Sequence, residues 1–474
     1  MTTIGTTSSI DVQGIVSQLM QIEQRPLQSL QKTMTGIETK LSAFGKLQSA
    51  LASFQDAARA LTRADTWGAA TATSADETSV KATAESGAII GGYSIEVARL
   101  AQRQTVASGA FADSAAVIGG GTLRLRMGAL DAGGTTFTPD AQRPEVAVTI
   151  AAGATLADVR NAINTAGAGI TASLVADGTG QRLMLRSADS GAAQAFAIAV
   201  DDADGGNADA AGLSALAFTP GGAGAGNLLL TQAAQDARVT VNGLEVSSSS
   251  NRLTGVIENL TIDIRRTTTT PIEVSVASDG EALRGSLEAF VESYNAANKL
   301  ITEQLRYDPA TKAAGVLQGN QTVVRIQQQM REVLRATVGS VSPNSLSAIG
   351  IELQRDGSLK MDATRSDAAL ADPDRVEAFF AATGTTSEDP GGLARRLLAR
   401  LDPILASDGT ISNATESLRA REHSAEQQEE RLNARLTEIE KRLLRQYTAL
   451  DANLSQIAGS LASVQSLVAS TDNS

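Results

Sequence analysis

Two stripes of apolar residues, one near each end of the chain, constrain this sequence more than any other feature. The first falls at Leu27, Leu30, Met34, Ile37, Leu41 and Phe44, in alternating steps of three and four. The second runs through Leu432, Leu436, Ile439 and Leu443, slips by one residue, and continues at Tyr447, Leu450, Leu454, Ile457, Leu461, Val464 and Val468. A mean spacing of 3.5 residues keeps one side of a helix facing a partner helix. The two ends therefore read as halves of one coiled coil. If they pair, everything between them is an insertion carried at the far end of a helical stalk. A helix from Leu27 to Leu61 alone is about 50 Å long, so the molecule is expected to be elongated. The candidate assembly surface comprises Leu27, Leu30, Met34, Ile37, Leu41 and Phe44 on the first stripe. On the second it comprises Leu436, Ile439, Leu443, Leu450, Leu454, Ile457 and Leu461.

Both helices soften toward the termini. Gly36 and Gly45 interrupt the first, and each weakens a helix by about 1 kcal/mol relative to Ala. On the second, Glu438 is placed to meet Arg442 one turn on, but beyond Asp451 the outer positions turn to Ser, Ala, Gln and Gly. Helices owe most of their stability to packing, and full burial of one Leu gives about 1.5–3 kcal/mol. The ends are expected to order only partly in a monomer and to gain stability on assembly. The plainer alternative is an intramolecular coiled coil, or the core faces of a bundle.

At 474 residues the chain has room for about two to four domains. Aromatic residues make up only 3%, with one Trp, so cores must be built from Ala, Val, Leu and Ile. A net charge of -12 argues against sequence-independent nucleic-acid binding and against an anionic membrane surface. No apolar run approaches the ~20 residues of a membrane span. With no Cys and one His, disulfides, thiolate chemistry and a multi-histidine metal site are excluded. The first basic side chain is Arg25, which does not fit a secretory signal peptide. The expectation is a protein that stays in the cytoplasm or leaves by a route without signal cleavage.

From about Thr78 to Ser278 the period changes to two. "GGYSIEVARL", "GTLRLRMG", "EVAVTI", "NLTIDI" and "PIEVSV" alternate as strands. "RVTVNGLEV" predicts a hairpin turning at Asn242-Gly243, and "ITASLVADGTGQRLMLRS" a second at Asp177-Gly178. One helix interrupts in "TLADVRNAIN", with Thr155 as its cap and Leu156, Val159 and Ile163 on its buried side. "DDADGGNADAAGLSALAFTPGGAGAG" reads as surface loops. Helices return with "EALRGSLEAFVESYNAANKLITEQL" and "QTVVRIQQQMREVLRA". A small hairpin follows at Asp356-Gly357, then a helix in "DPDRVEAFF" with Asp372 as cap and Pro373 in its first turn. The fold class is α+β, with antiparallel β-rich domains inserted between helical ends.

Candidate chemistry is sparse. His423 lies among helical charges and reads as part of a solvated face. "DADGGNAD" opens like a calcium loop with Asp202 and Asp204, but the twelfth position that needs a bidentate carboxylate is Leu213. "GGAGAGNLLL" lacks the Lys of a phosphate loop. No Gly-x-Ser-x-Gly elbow occurs, and the Asn-x-Ser/Thr triplets at Asn259, Asn320, Asn413 and Asn453 are short enough to arise by chance. No catalytic, cofactor or metal residue is assigned, and the chain reads as a structural protein rather than an enzyme.

"IDVQGIVSQLMQIEQRPLQSLQ" resembles the opening of the flagellar filament-capping proteins, the flagellar hook-associated protein 2 family. "GGYSIEVARLAQRQTVAS", "TLADVRNAINTAGAGITASLVADGTGQRLMLRSADSG" and "AQDARVTVNGLEVSSSSNRLTGVIENLTIDI" are similar to its central blocks. "SLSAIGIELQRDGSLKMD" followed by "DPDRVEAFF" resembles its C-terminal half, and the segment from about Ala199 to Gly226 matches least. The resemblance implies a homo-oligomeric cap at the flagellar tip, beneath which flagellin is inserted and retained. It implies export by the flagellar type III route with an uncleaved N-terminus, and no cofactor. The partners implied are further copies of the chain, flagellin, the hook–filament junction proteins and an export chaperone, with no nucleic acid and no membrane insertion.

On this reading residues 1–77 form a helical leg, and 78–106 with 232–278 form a discontinuous inner β-domain. Residues 107–231 form an outer β-rich domain, 279–410 a helical domain with a small hairpin, and 411–474 a C-terminal coiled-coil helix. Two other functions fit the same architecture. One is a tip adhesin contacting a surface glycan or mucin through the outer domain, and the other is a cytoplasmic coiled-coil scaffold.

Overall fold

Asp11 opens the first helix: its carboxylate accepts from the Gly14 amide at 2.8 Å and caps α1 (Val12–Glu23). The structure, a computed structural model, describes residues 11–131, 136–207, 209–221, 226–310, 312–339, 342–384 and 391–471, with side chains described to 464. After Gln24, α2 (Arg25–Ala60) begins with Pro26 in its first turn, where the missing amide hydrogen has no intrahelical partner to lose. The chain divides into two units, Met1–Arg63 with Gly280–Ser474, and Ala64–Asp279.

The second unit starts with a single turn, α3 (Ala64–Trp67), which buries Trp67. Its strands in chain order are β1 (Ala70–Ser74), β2 (Val80–Ala84), β3 (Gly91–Arg99), β4 (Thr105–Ala107), β5 (Val117–Leu130), β6 (Phe137–Pro139), β7 (Val146–Thr155), β8 (Ile170–Ala176), β9 (Gln181–Ser187), β10 (Ala195–Asp202), β11 (Leu229–Gln232), β12 (Ala237–Val241), β13 (Leu244–Ser248), β14 (Arg252–Ile257), β15 (Leu260–Ile264) and β16 (Ile272–Ser278). Between β7 and β8 lies α4 (Leu156–Thr165). The sheet β1-β16-β3-β12-β13 and the sheet β14-β15-β2 share one core around Val80, Ile95, Val97, Val239, Ile262 and Val274. A second core, around Leu123, Leu125, Leu183, Leu185 and Phe196, joins α4 to the sheet of β10, β5, β6 and β7 and to the sheet β11-β4-β9-β8.

Local chemistry places several of these elements. Asn242 and Gly243 have φ of 48° and 84° and link β12 to β13 through the pair Val241↔Leu244. Two successive positive φ values are what a two-residue hairpin needs. The β8–β9 turn is held by Asp177, whose carboxylate accepts from the Thr179 amide at 2.9 Å and hydroxyl at 2.6 Å. Thr155 and Asp158 form a reciprocal capping box at the start of α4.

Three expectations are corrected. The helical leg, drawn to residue 77, gives way earlier, because Ala70–Ser74 is already β1 and pairs with β16 from Ala70↔Ser278 to Ser74↔Val274. Half-buried Ala70 and Ala72 alternate with exposed Thr71 and Thr73, but these small side chains make a fainter period than the Val and Ile of the later strands. The segment read as surface loops after β10 contributes to the core instead: a 3₁₀ turn at Gly212–Leu216 buries Leu213 and Leu216, and Phe218 follows them inside. Such a turn carries neither a 3.6 nor a 2.0 period; residues 208 and 222–225 of that segment lie outside the described residues. Asp372 does not cap its helix through the side chain, since its carboxylate turns to the Arg375 Nε at 2.9 Å.

The chain returns to the first unit through α5 (Gly280–Leu305). It continues with a short pair β17 (Tyr307–Asp308) and β18 (Ala313–Ala314), α6 (Gln321–Arg335), and the hairpin β19 (Ile351–Leu353) and β20 (Leu359–Met361). Then come α7 (Ala363–Leu370), α8 (Pro373–Ala381), α9 (Leu393–Leu405) and α10 (Thr410–Thr471). Five aromatic residues form one cluster here. Phe54 of α2 meets Phe290 at 5.3 Å and Tyr294 at 5.4 Å, Phe290 meets Phe380 at 5.8 Å, and Phe379 meets Phe380 at 4.9 Å. The Tyr294 hydroxyl donates to the Gly357 carbonyl at 2.8 Å, tying the β19–β20 turn to α5. In the single chain both terminal arms are helical over the described residues. Residues 1–10, and the side chain of Val468, lie outside them.

Candidate assembly surface

α10 has 62 residues, about 93 Å at 1.5 Å per residue. Along its first part α1 and α2 run antiparallel to it. The Gln31 side chain donates to Glu429 at 2.9 Å, Ile37 shares a groove with Leu418 and Ala425, and Val16 and Met20 pack with Leu436 and Ile439. Leu27, Leu443 and Tyr447 border that last cluster, half-buried. Ile37 and Phe44 are buried, and Leu30, Met34 and Leu41 are half-buried.

The second stripe changes character along its length. Leu436 and Ile439 are each 8% exposed, whereas Leu450, Leu454, Ile457 and Leu461 are 45%, 40%, 54% and 56% exposed, and Val464 follows at 58%. The break falls just past the one-residue slip, after Tyr447, which still packs in one cluster with Val12 at the start of α1. What remains beyond it is a helical row of half-exposed aliphatic side chains on a face without charge. Covering the exposed half of each gives roughly 1 kcal/mol per residue.

Sequence reasoning missed two things. Val12, Val16 and Met20 recur every four residues, a signal that identifies α1 as the partner for Leu436 and Ile439. Beyond Phe44 the first stripe also continues, with Leu47, Leu51, Phe54 and Ala58 all buried as α2 packs on α5 and α9. One helix thus serves α10 with its first half and the body of the unit with its second. Near that junction Asp402 accepts from Gln55 at 2.6 Å and from Arg59 at 3.4 Å.

Electrostatics along the pair are local. Glu438 meets Lys441 at 3.1 Å rather than the expected Arg442. His423 is exposed beside Glu426 at 3.5 Å and Gln427 at 3.0 Å. Asp202 and Asp204 accept backbone amides, from Ser214 and Gly206 at 2.8 Å each. Among the described residues no group of three or more His, Asp or Glu is placed to hold a metal ion, and no helix is long and apolar enough to cross a membrane.

Comparison with known proteins covers nearly the whole chain. Three family models match: the flagellar hook-associated protein 2 N-terminus over residues 8–104, the flagellin hook IN motif over 129–189, and the flagellar hook-associated protein 2 C-terminus over 234–459. The chain is 33% identical over 464 residues to the B-type flagellar hook-associated protein 2 of Pseudomonas aeruginosa, covering 94% of this chain and 92% of that protein. It is 28% identical over 432 residues to the flagellar hook-associated protein 2 of Escherichia coli K12, covering 88% and 87%. The crystal structure of the flagellar cap protein FliD D1-D2-D3 domains from Escherichia coli is similar at a TM-score of 0.63 and 29% identity, covering 80% of this chain and 99% of that one. On this breadth of agreement, the chain belongs to the flagellar hook-associated protein 2 family.

Proposed function

We propose that the chain is a structural cap at the distal tip of the bacterial flagellar filament, assembled from several copies and acting with flagellin. Its relatives are named for the hook-associated protein and its structural neighbour for the flagellar cap. The observation that carries the reading to particular residues is the open stripe from Leu450 to Val464. It continues a seam already used inside the chain, and it can be covered only by something outside the described part of the monomer.

A cap must stay on the tip while each flagellin subunit is added beneath it. Contacts that are numerous and individually weak allow that, because single rows can release while others hold. A row of residues giving roughly 1 kcal/mol each, on helices loosened by glycine, has this character. In this reading the protein works by assembly rather than by catalysis. Contacts with junction proteins and an export chaperone, and passage through the type III route, belong to the same reading. The adhesin and cytoplasmic-scaffold alternatives gain no support, since the relatives that match along the chain are named for the hook-associated protein and the structural neighbour for the flagellar cap.

The test is complementation of a strain lacking its own cap gene. The chain should restore long filaments and retention of flagellin, and the doubly substituted Ile457→Glu, Leu461→Glu chain, exported to the same level, should not. Normal filaments from that variant while it stays monomeric at every concentration would overturn the role given to the stripe.

A further inference from the structure

A cleft of about 570 Å³ opens within the sheet-rich unit, between the β11-β4-β9-β8 sheet and the β14-β15-β2 sheet. Its walls follow from strand register. Alternation turns Gln104 and Val106 inward, where both are fully buried, and leaves Arg103 and Thr105 on the cleft side. Thr105 pairs with Arg186, which places Arg186 on the same face. On the other wall Arg252 pairs with Asp263, and Arg265 lies two residues on along the cleft.

Four arginines and one aspartate thus line the cleft, in a chain with 52 acidic and 40 basic residues. The one internal ion pair is loose, Arg252 to Asp263 at 3.8 Å, and Arg265 donates to the Glu77 carbonyl at 3.3 Å. Arg103 and Arg186 have no side-chain partner among the described residues. Four cationic groups lining one cleft with a single counter-charge among them leave an excess of positive charge that an anion between them would neutralise.

We propose that this cleft is a binding site for a compact oxyanion of the phosphate or sulfate type, held between Arg103 and Arg186 on one wall and Arg252 and Arg265 on the other. The shape selects that class. A carboxylate has two oxygens in one plane, and a single guanidinium fork satisfies it. A tetrahedral oxyanion offers oxygens on several sides and can be gripped from both walls at once. The volume lies in the range of small-ligand pockets and has room for more than one such group, so a diphosphate fits better than a monophosphate.

The test uses the full chain at low ionic strength, with inorganic pyrophosphate, phosphate, sulfate and an oligoglutamate peptide as separate probes in calorimetry. Pyrophosphate should bind saturably, and binding should weaken as sodium chloride is raised. Affinity should fall about tenfold or more in R103Q/R186Q, since charge-assisted hydrogen bonds from one wall are lost. Thermal unfolding should show that variant folded, and R238Q, whose arginine pairs with Glu245 elsewhere in the unit, should bind as the parent does. Phosphate and sulfate arms that bind equally assign the site to oxyanions in general, and a preference between them names the narrower class. The proposal is overturned if none of pyrophosphate, phosphate and sulfate shows saturable binding, if R103Q/R186Q binds them undiminished, or if only oligoglutamate binds.

Discussion

Gly36 and Gly45 lie within α2, yet a Cβ built on either meets nothing within 4 Å. Neither is required for close approach inside the chain, so their effect on α2 is softness alone. Gly36→Ala with Gly45→Ala should raise helicity in circular dichroism and stabilise the helical unit by about 1 kcal/mol per site. If the soft helix serves the cap, filaments should shorten as helicity rises; filaments of unchanged length would remove that role. Asp76 makes a different prediction. Hydrogen bonds from the Ser79 and Thr78 hydroxyls lower its pKa from 3.8 to about 2. Its contribution to stability is therefore complete above the unfolded value and is lost as pH falls through about 2. Denaturant titrations of D76N should show a shallower fall in stability across that window than the parent, and an identical fall would sink the assignment. Residues whose role depends only on near neighbours were legible in the sequence: Thr155 as a cap, and Asn242-Gly243 as a turn. Asp372 and Glu438 were not, because each has a nearby basic residue, and rotamer packing decides between competing partners.

At the level of elements, α10 shows what periodicity can and cannot reveal. The 3.5-residue row is visible from Leu432 to Val468, but the point where cover ends depends on where the partner helix ends. The slip after Leu443 and the loss of charged outer positions beyond Asp451 were the local signs. Substitution should separate the two halves of the row. Leu436→Glu places a charge in a buried cluster with Val16 and Met20 and should destabilise the chain by about 3 kcal/mol or more. Ile457→Glu with Leu461→Glu changes half-exposed positions and should leave monomer stability within about 0.5 kcal/mol per site, while abolishing assembly in sedimentation. Equal losses of stability for both variants would mean the outer half is covered in the monomer. The 3₁₀ turn that buries Leu213 and Leu216 was illegible for a related reason, since its Ala- and Gly-rich surroundings follow no helical or strand period.

For the whole molecule, the pair of terminal stripes made the insertion topology legible, and two-residue alternation made the middle sheet-rich. The boundary was misplaced because β1 is short and carries Ala on its inward side, a weaker strand mark than Val or Ile. Ala64–Asp279 forms its own unit with its own cores. Expressed alone, that fragment should fold cooperatively and keep the blue-shifted emission of buried Trp67, the one tryptophan of the chain. Emission typical of water-exposed indole would show that the unit depends on the helices.

The two chain crossings of that unit are next to each other. Ala70 pairs with Ser278, and the Asp279 amide donates to the Ala69 carbonyl at 2.9 Å. The polypeptide goes in and comes out on adjacent antiparallel strands, whose hydrogen bonds lie across the strands like rungs. Tension that draws the two crossings apart meets these rungs singly, from the outermost inward, as a zip opens. The doorway yields by small steps at low force, and the packed interior behind it is loaded last.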